Sequence, residues 1–225
     1  NDRLLQLSSG RIIQPLALIT NTTETDPFHC LSTTFHSDDD GRSWSASRSR
    51  LSLEAVDGLQ EPGLVERSDG SLLMFCRTSQ GFQFGATSYD SSETWSSPTP
   101  IHDLVSPVSP ASIKRIPITG HLLAVYNHTT PTLERKTRYR KRHPLHSAIS
   151  TDDGQTWQHR RTIETNTNFD YDYTSITFLE NNDGGESQSE VLMTYHAGHS
   201  FGENYGQYRR HMKLKVLPLR WFYED

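Results

Sequence analysis

Apolar residues fall along the chain in short runs, and the runs come in pairs. Four segments share one plan: an apolar strand, a polar turn holding glycine, and a second apolar strand. They are Leu4–Ile13 around Gly10, Leu64–Leu73 around Gly70, Ile113–Leu123 around Gly120, and Ile176–Tyr195, whose longer polar turn runs from Asn181 to Ser189. Apolar runs of this length bounded by such turns predict β-hairpins, and glycine supplies the positive φ that a tight hairpin turn needs. Pro and Gly interrupt the chain every few residues, so little of it predicts helix. The expected fold class is all-β.

A second pattern, Ser-x-Asp-x-Gly-x-x-Trp, follows three of the hairpins. Ser37-Asp38-Asp39-Asp40-Gly41-Arg42-Ser43-Trp44 and Ser150-Thr151-Asp152-Asp153-Gly154-Gln155-Thr156-Trp157 fit it fully; Ser88-Tyr89-Asp90-Ser91-Ser92-Glu93-Thr94-Trp95 fits except for Ser92 in place of glycine. The starts at 37, 88 and 150 lie 51 and 62 residues apart, a spacing that suits four-stranded propeller blades. The turn has a physical logic. Ser and Asp side chains bond backbone N–H groups inside it, glycine takes the left-handed position, and the Trp ring is expected to pack between neighbouring sheets. Asp39, Asp90 and Asp152 therefore read as structural. An EF-hand is excluded, since its ligand spacing and distal Glu are missing.

Composition changes this picture little. Of 225 residues, 33% are hydrophobic, as many short strands joined by polar turns would give, and the formal charge of −5 offers no general reason to expect nucleic acid as a partner. Six of the nine residues from Glu134 to Arg142 are basic, but no aromatic stacking platform accompanies them. No apolar run approaches the ~18 residues of a membrane-spanning helix, and Asn1-Asp2-Arg3 has no signal-peptide character. Cys30 and Cys76 make no disulfide framework and are expected as free, buried thiols.

The turns, together with the hairpins before them, resemble the sialidase (neuraminidase) superfamily, and more closely its BNR-repeat, Asp-box proteins of bacterial type. Glu61-Pro62-Gly63-Leu64-Val65-Glu66, Ser109-Pro110-Ala111-Ser112-Ile113, Pro144-Leu145 and the terminal Trp221-Phe222-Tyr223 carry the same resemblance. It covers nearly the whole chain and implies a β-propeller of sialidase type. That family builds six blades and four hairpin units are counted here. The expectation is therefore one domain over 1–225, the C-terminal part of a propeller with N-terminal blades missing. The implied activity is exo-glycoside hydrolysis releasing terminal sialic acid or a related acidic sugar, with a sialylated or other acidic glycan as partner and no cofactor. The competing reading is a non-catalytic propeller that binds glycans or proteins, because fold does not fix function.

Site residues follow from geometry and resemblance together. Glu61, nine residues before Gly70, and Arg77, seven after it, fall at the same end of one hairpin. Burying either unpaired is expensive, so mutual pairing is the structural alternative. The resemblance implies more. Sialidases clamp the substrate carboxylate with three arginines, for which the planar, permanently charged guanidinium is suited. Arg77 resembles the second and Arg142, in Arg142-His143-Pro144-Leu145, the third, with Arg138, Arg140 and Lys141 as competitors. Arg3 sits in the wrong place for the first. Sialidases also use a tyrosine nucleophile; a neutral phenol is not repelled by the substrate's own carboxylate. Tyr173 resembles it, Tyr171 competes, and Glu61 resembles the base that takes the phenolic proton. The acid/base aspartate has no match, and Asp2 and Asp26 have no motif support. His196-Ala197-Gly198-His199 offers a weak zinc alternative, since histidines at i and i+3 on a strand point to different faces. His196, Asn127 and His128 are further candidates to line the mouth.

Overall fold

A computed structural model describes residues 3–20, 29–54, 57–129, 142–179, 189–199 and 210–224, with the backbone alone at His199 and Arg210. The chain divides into two compact units, 2–102 and 103–225. Each contains two sheets, and the boundary falls within one strand.

In the first unit, β1 (Leu5–Gln6), β2 (Ile12–Thr20), β3 (His29–Ser37) and β4 (Ser45–Ala46) run in that order, with β5 (Asp57–Gly58) added in parallel to β3. β6 (Gln60–Glu66), β7 (Leu72–Arg77), β8 (Phe82–Ser88) and β9 (Thr99–Val105) form the next sheet. Leu7, Ile13, Leu59, Leu64, Leu72, Met74 and Trp95 fill the core of this unit. Arg11 ties the two sheets at their rim, with Nε 2.7 Å from Asp38 and Nη1 3.1 Å from Glu93.

In the second unit, β10 (Ser112–Arg115), β11 (Leu122–Asn127), β12 (Leu145–Ser150) and β13 (Gln158–Glu164) form one sheet, and β14 (Phe169–Leu179), β15 (Glu190–His199) and β16 (Arg210–Pro218) the other. A 3₁₀ turn, Leu219–Tyr223, packs Leu219 and Phe222 into their shared core with Ile149, Val191, Met193 and Tyr195. The outer strand β16 alternates from Met212 to Leu217. Lys213 and Lys215 reach back to Glu164, whereas Met212 and Leu214 are 67% and 60% exposed on its other face. No helix among the described residues is long and apolar enough to cross a membrane.

All four predicted hairpins are present, as β1–β2, β6–β7, β10–β11 and β14–β15. Together with the strands that follow, they make four blade sheets of the sialidase propeller type. The three turn motifs share one hydrogen-bond network. Ser37, Ser88 and Ser150 each donate to the motif aspartate and accept the N–H four residues on, at Gly41, Ser92 and Gly154. Each aspartate accepts a backbone N–H and a hydroxyl from the residue before the tryptophan, Ser43, Thr94 or Thr156, with O···O distances of 2.6 Å. That hydroxyl makes the residue before the tryptophan a fifth working position of the motif. The hydroxyl and N–H of Ser43 hold the Asp39 carboxyl down at about 2.

Trp95 and Trp157 are buried as expected, and Trp95 Nε1 reaches Thr34 in the adjacent sheet. Trp44 departs from the expectation. It is 41% exposed and folds over its own turn, donating to the Gly41 carbonyl at 3.1 Å, so it packs between no sheets. Cys30 and Cys76 are free and buried. Burial raises both thiols, Cys76 to about 12.

Candidate active site

Two β-bulges carry the candidate groups. On β6, Gln60 pairs with Arg77 and Gly63 with Phe75, so Glu61 and Pro62 together face Cys76. On β14, Asp172 pairs with His196 and Ser175 with Thr194, so Tyr173 and Thr174 together face Tyr195. The two bulges share one local pattern, with Glu61 and Tyr173 each the residue after the last regular pair on the first strand of its hairpin. Each is the first bulge residue, with φ of 45° and 55°. A left-handed backbone at a bulky residue is strained and persists only where surrounding contacts impose it; such positions concentrate at functional sites.

Glu61 and Arg77 belong to the first unit, where Arg77 Nη1 lies 3.2 Å from Glu61 Oε2. The structural alternative of mutual pairing is thus present. Arg77 Nε, also buried, has no hydrogen-bond partner among the described residues. An orphaned donor on a charged group calls for an explanation, and a bound acceptor is one. Arg3 lies against the same hairpin with its guanidinium carbon 5.3 Å from the Phe75 ring centre. Gly63 makes that approach possible, for a Cβ there would sit 2.2 Å from both Arg3 Nη1 and Phe75 Cζ.

Tyr173 and Arg142 belong to the second unit. Arg142 is buried, with Nη1 2.6 Å from Asp172 Oδ2, and its backbone N–H donates to Asp170. Its carbonyl accepts from Tyr171 N–H and from Asn127 Nδ2. Its guanidinium lies 5.7 Å from the centre of the Tyr173 ring. A charged side chain held on so many sides is well positioned, and Asp172 occupies only one of its five N–H donors by this bond. The bulge itself is pinned from β10, where Ser112 Oγ donates to the Thr174 carbonyl.

The structure separates the two tyrosines. Tyr171 is 3% exposed, stacks edge-on with Tyr195 and belongs to the hydrophobic core; burial raises its phenol. Tyr173 is half-buried beside Arg142 and His196. Asn127 does not line a mouth. It is 1% exposed and clips the Arg142 and Tyr171 carbonyls together, so its amide serves the backbone. His128 stacks with His146 at 5.4 Å and contacts Tyr126. Asn1, Asp2, Asp26, Arg138, Arg140 and Lys141 lie outside the described residues, as does the His199 side chain.

Asp170 and Asp172 were missed from the sequence. The signal was legible: two carboxylates at i and i+2 of an inner strand, Phe169-Asp170-Tyr171-Asp172-Tyr173, share a face and need a cation.

Comparison with known proteins bears on this arrangement. No curated protein matches the chain. Among solved structures, an intramolecular trans-sialidase from leech superposes with a TM-score of 0.70 at 20% identity, over 97% of this chain and 31% of its own. The intramolecular trans-sialidase of Ruminococcus gnavus gives 0.70 at 19% identity, over 99% of this chain and 44% of its own. An α-L-arabinanase from Penicillium chrysogenum gives 0.62 at 17% identity, over 96% of this chain and 62% of its own. The chain thus spans less than two thirds of these proteins, and identities this low speak to fold alone. A family model described as a BNR repeat-like domain matches residues 1–186. With that match over most of its length, four blade sheets and three Asp-box turns, the chain belongs to the BNR-repeat family of sialidase-type β-propellers.

Proposed function

We propose that the chain is part of a sialidase-type exo-glycoside hydrolase acting on terminal sialic acid or a related acidic sugar. The observation that carries this reading is the repeated bulge. Glu61 and Tyr173, the two groups to which the family resemblance gives the chemistry, are each held left-handed as the first residue of a bulge on the first strand of a hairpin. Each bulge lies beside an arginine suited to a carboxylate, Arg77 in one unit and Arg142 in the other.

In this reading the Tyr173 phenol oxygen attacks the anomeric carbon as the glycosidic C–O bond breaks, and a water molecule later hydrolyses the tyrosyl–sugar bond. Glu61 receives the phenolic proton, a role taken from the resemblance. An aryl leaving group departs as its phenolate and needs no protonation, so aryl glycosides test the nucleophile without the unassigned acid/base residue. The test is fluorophore release from a sialic-acid aryl glycoside by this chain and by any longer parent. Turnover is expected to vanish in Tyr173→Phe and to fall by about 10²–10⁴ in Glu61→Gln. Near-full activity in Tyr173→Phe refutes the nucleophile. Arg77→Lys should raise KM by loss of the planar fork; an unchanged KM refutes the clamp.

A second reading, a non-catalytic glycan-binding propeller, is favoured by one observation: Arg142 already has a carboxylate partner in Asp172. It predicts sugar binding without release.

A further inference from the structure

His196 is a group the proposed chemistry does not use. It faces Asp172 across β14 and β15, with Nδ1 3.2 Å from Asp172 Oδ1. A carboxylate can only accept, so the ring donates from Nδ1, and in the neutral imidazole Nε2 is left as an acceptor. Nε2 has no hydrogen-bond partner among the described residues. The two ends of the pair sit in different surroundings: the Asp172 side chain is 2% exposed and that of His196 38%. Asp172 Oδ2 meanwhile holds Arg142. The Tyr173 ring therefore has two neighbours anchored on one buried carboxylate. Arg142 lies 5.7 Å from the ring centre, and the imidazole, also at 5.7 Å, is tilted by 59°. In hairpin register His196 takes on β15 the place that Arg77 takes on β7.

We infer that Asp172 and His196 form a carboxylate–imidazole dyad in which Asp172 is a positioning residue and His196 Nε2 accepts a hydrogen bond from a hydroxyl of a sugar seated against Tyr173. Asp172 fixes the tautomer, as outer carboxylates do for ligating histidines. The sugar as ligand rests on the proposed function; the tautomer does not.

Long-range ¹H–¹⁵N correlation on histidine-labelled chain at about pH 8, above the ordinary imidazole range, reads the tautomer directly, with His196 assigned by loss of its signals in His196→Phe. The Nδ1–H form is expected, and Asp172→Asn should abolish that preference. An Nε2–H form in the parent chain overturns the dyad. Because Asp172→Asn weakens the partner of a buried arginine and can unfold the unit, His196→Phe and His196→Gln carry the functional arm. With the aryl sialoside, His196→Phe should raise KM about three- to tenfold, the worth of one neutral hydrogen bond, with kcat little changed. His196→Gln, which keeps an acceptor, should recover part of that loss. An unmoved KM overturns the binding role. If no turnover occurs in any form, titration with free sialic acid separates the two ideas. A shift at His196 Nε2 upholds the binding role while the hydrolase reading fails, and no shift sinks the binding role and the hydrolase reading together, leaving the tautomer to stand or fall on the correlation spectrum.

Discussion

Ser92 offers a direct test of how the Asp-box turns hold their shape. The three turns place two consecutive residues at positive φ: Asp40 and Gly41 at 57° and 82°, Ser91 and Ser92 at 53° and 77°, Asp153 and Gly154 at 58° and 87°. Only the middle turn puts a side chain at the second position. That residue is fully buried, and its Oγ has no hydrogen-bond partner among the described residues. A Cβ in the left-handed region costs about 1–2 kcal/mol relative to glycine. An unpaired buried hydroxyl adds about 1–3 kcal/mol. Against these, glycine gives the unfolded chain about 0.4–1 kcal/mol more to lose, and removing a small buried group forfeits about 1 kcal/mol of packing. Ser92→Gly should therefore stabilise its unit by about 1 kcal/mol, a rise in Tm of about 2–4 °C for a chain of this size. Ser92→Ala removes the orphan hydroxyl and keeps the strain, so it should fall between. The reciprocal Gly154→Ser should destabilise by about the same amount. Thermal melts by circular dichroism and urea midpoints measure all three. A neutral or destabilising Ser92→Gly, or a costless Gly154→Ser, would refute the reasoning.

Three further predictions follow from burial and charge. Cys76, whose thiol burial pushes up to about 12, and Cys30, raised by the same cause, should both resist a disulfide reagent at about pH 8 in the native state and react fully in denaturant; prompt native reaction of two thiols would contradict the packing. Burial, with His128 and Arg160 nearby, lowers His146 to about 4. The unfolded ring binds protons from its ordinary ~6.5 downward, so more protons are bound unfolded than folded across that window. Stability should thus be intact above about 6.5 and decline as pH falls towards 4, by less than the full linkage value because the ring is only half-buried. His146→Gln should flatten that slope in urea midpoints, and an unchanged slope would exclude His146 as its source. Met193, fully buried between the two sheets of the second unit, should cost about 2–5 kcal/mol as alanine, whereas Leu214→Thr on the exposed face of β16 should stay within about 0.5 kcal/mol; equal effects would refute the assignment of faces.

The hairpins and turns were legible because each is specified locally. Gly10, Gly70 and Gly120 mark positions of positive φ, and the serine and aspartate of each box bond within eight residues of chain. Trp44 was misjudged because the motif states which ring is present and not what lies beside it. Trp95 has Thr34 of the adjacent sheet as a partner, whereas Trp44 has its own turn. Asn127 was misread for a related reason. Position at a strand end does not distinguish an amide facing a ligand from one clipping two carbonyls, and only the tertiary placement of Arg142 and Tyr171 decides between them.

The bulges were the least legible feature and the most informative. Glycine is the usual marker of a left-handed bulge residue, and here the positions hold Glu61 and Tyr173. Local sequence therefore argues against the conformation, and surrounding contacts impose it: the Arg77 ion pair at Glu61, and the Ser112 bond to the neighbouring carbonyl at Tyr173. The same conflict recurs at His159, first residue of a bulge on β13 with φ of 47°, so what sets Glu61 and Tyr173 apart is the arginine beside each. The partner slot on the second strand then varies between the hairpins. It holds Arg77 beside Glu61 and His196 beside Tyr173, so each bulge residue meets a cation or an imidazole matched to it. Replacing Arg77 and replacing His196 should consequently have different signatures. The first removes the Arg77 ion pair from Glu61 and should alter binding and fold together, whereas the second leaves the Arg142–Asp172 pair in place and should alter binding alone.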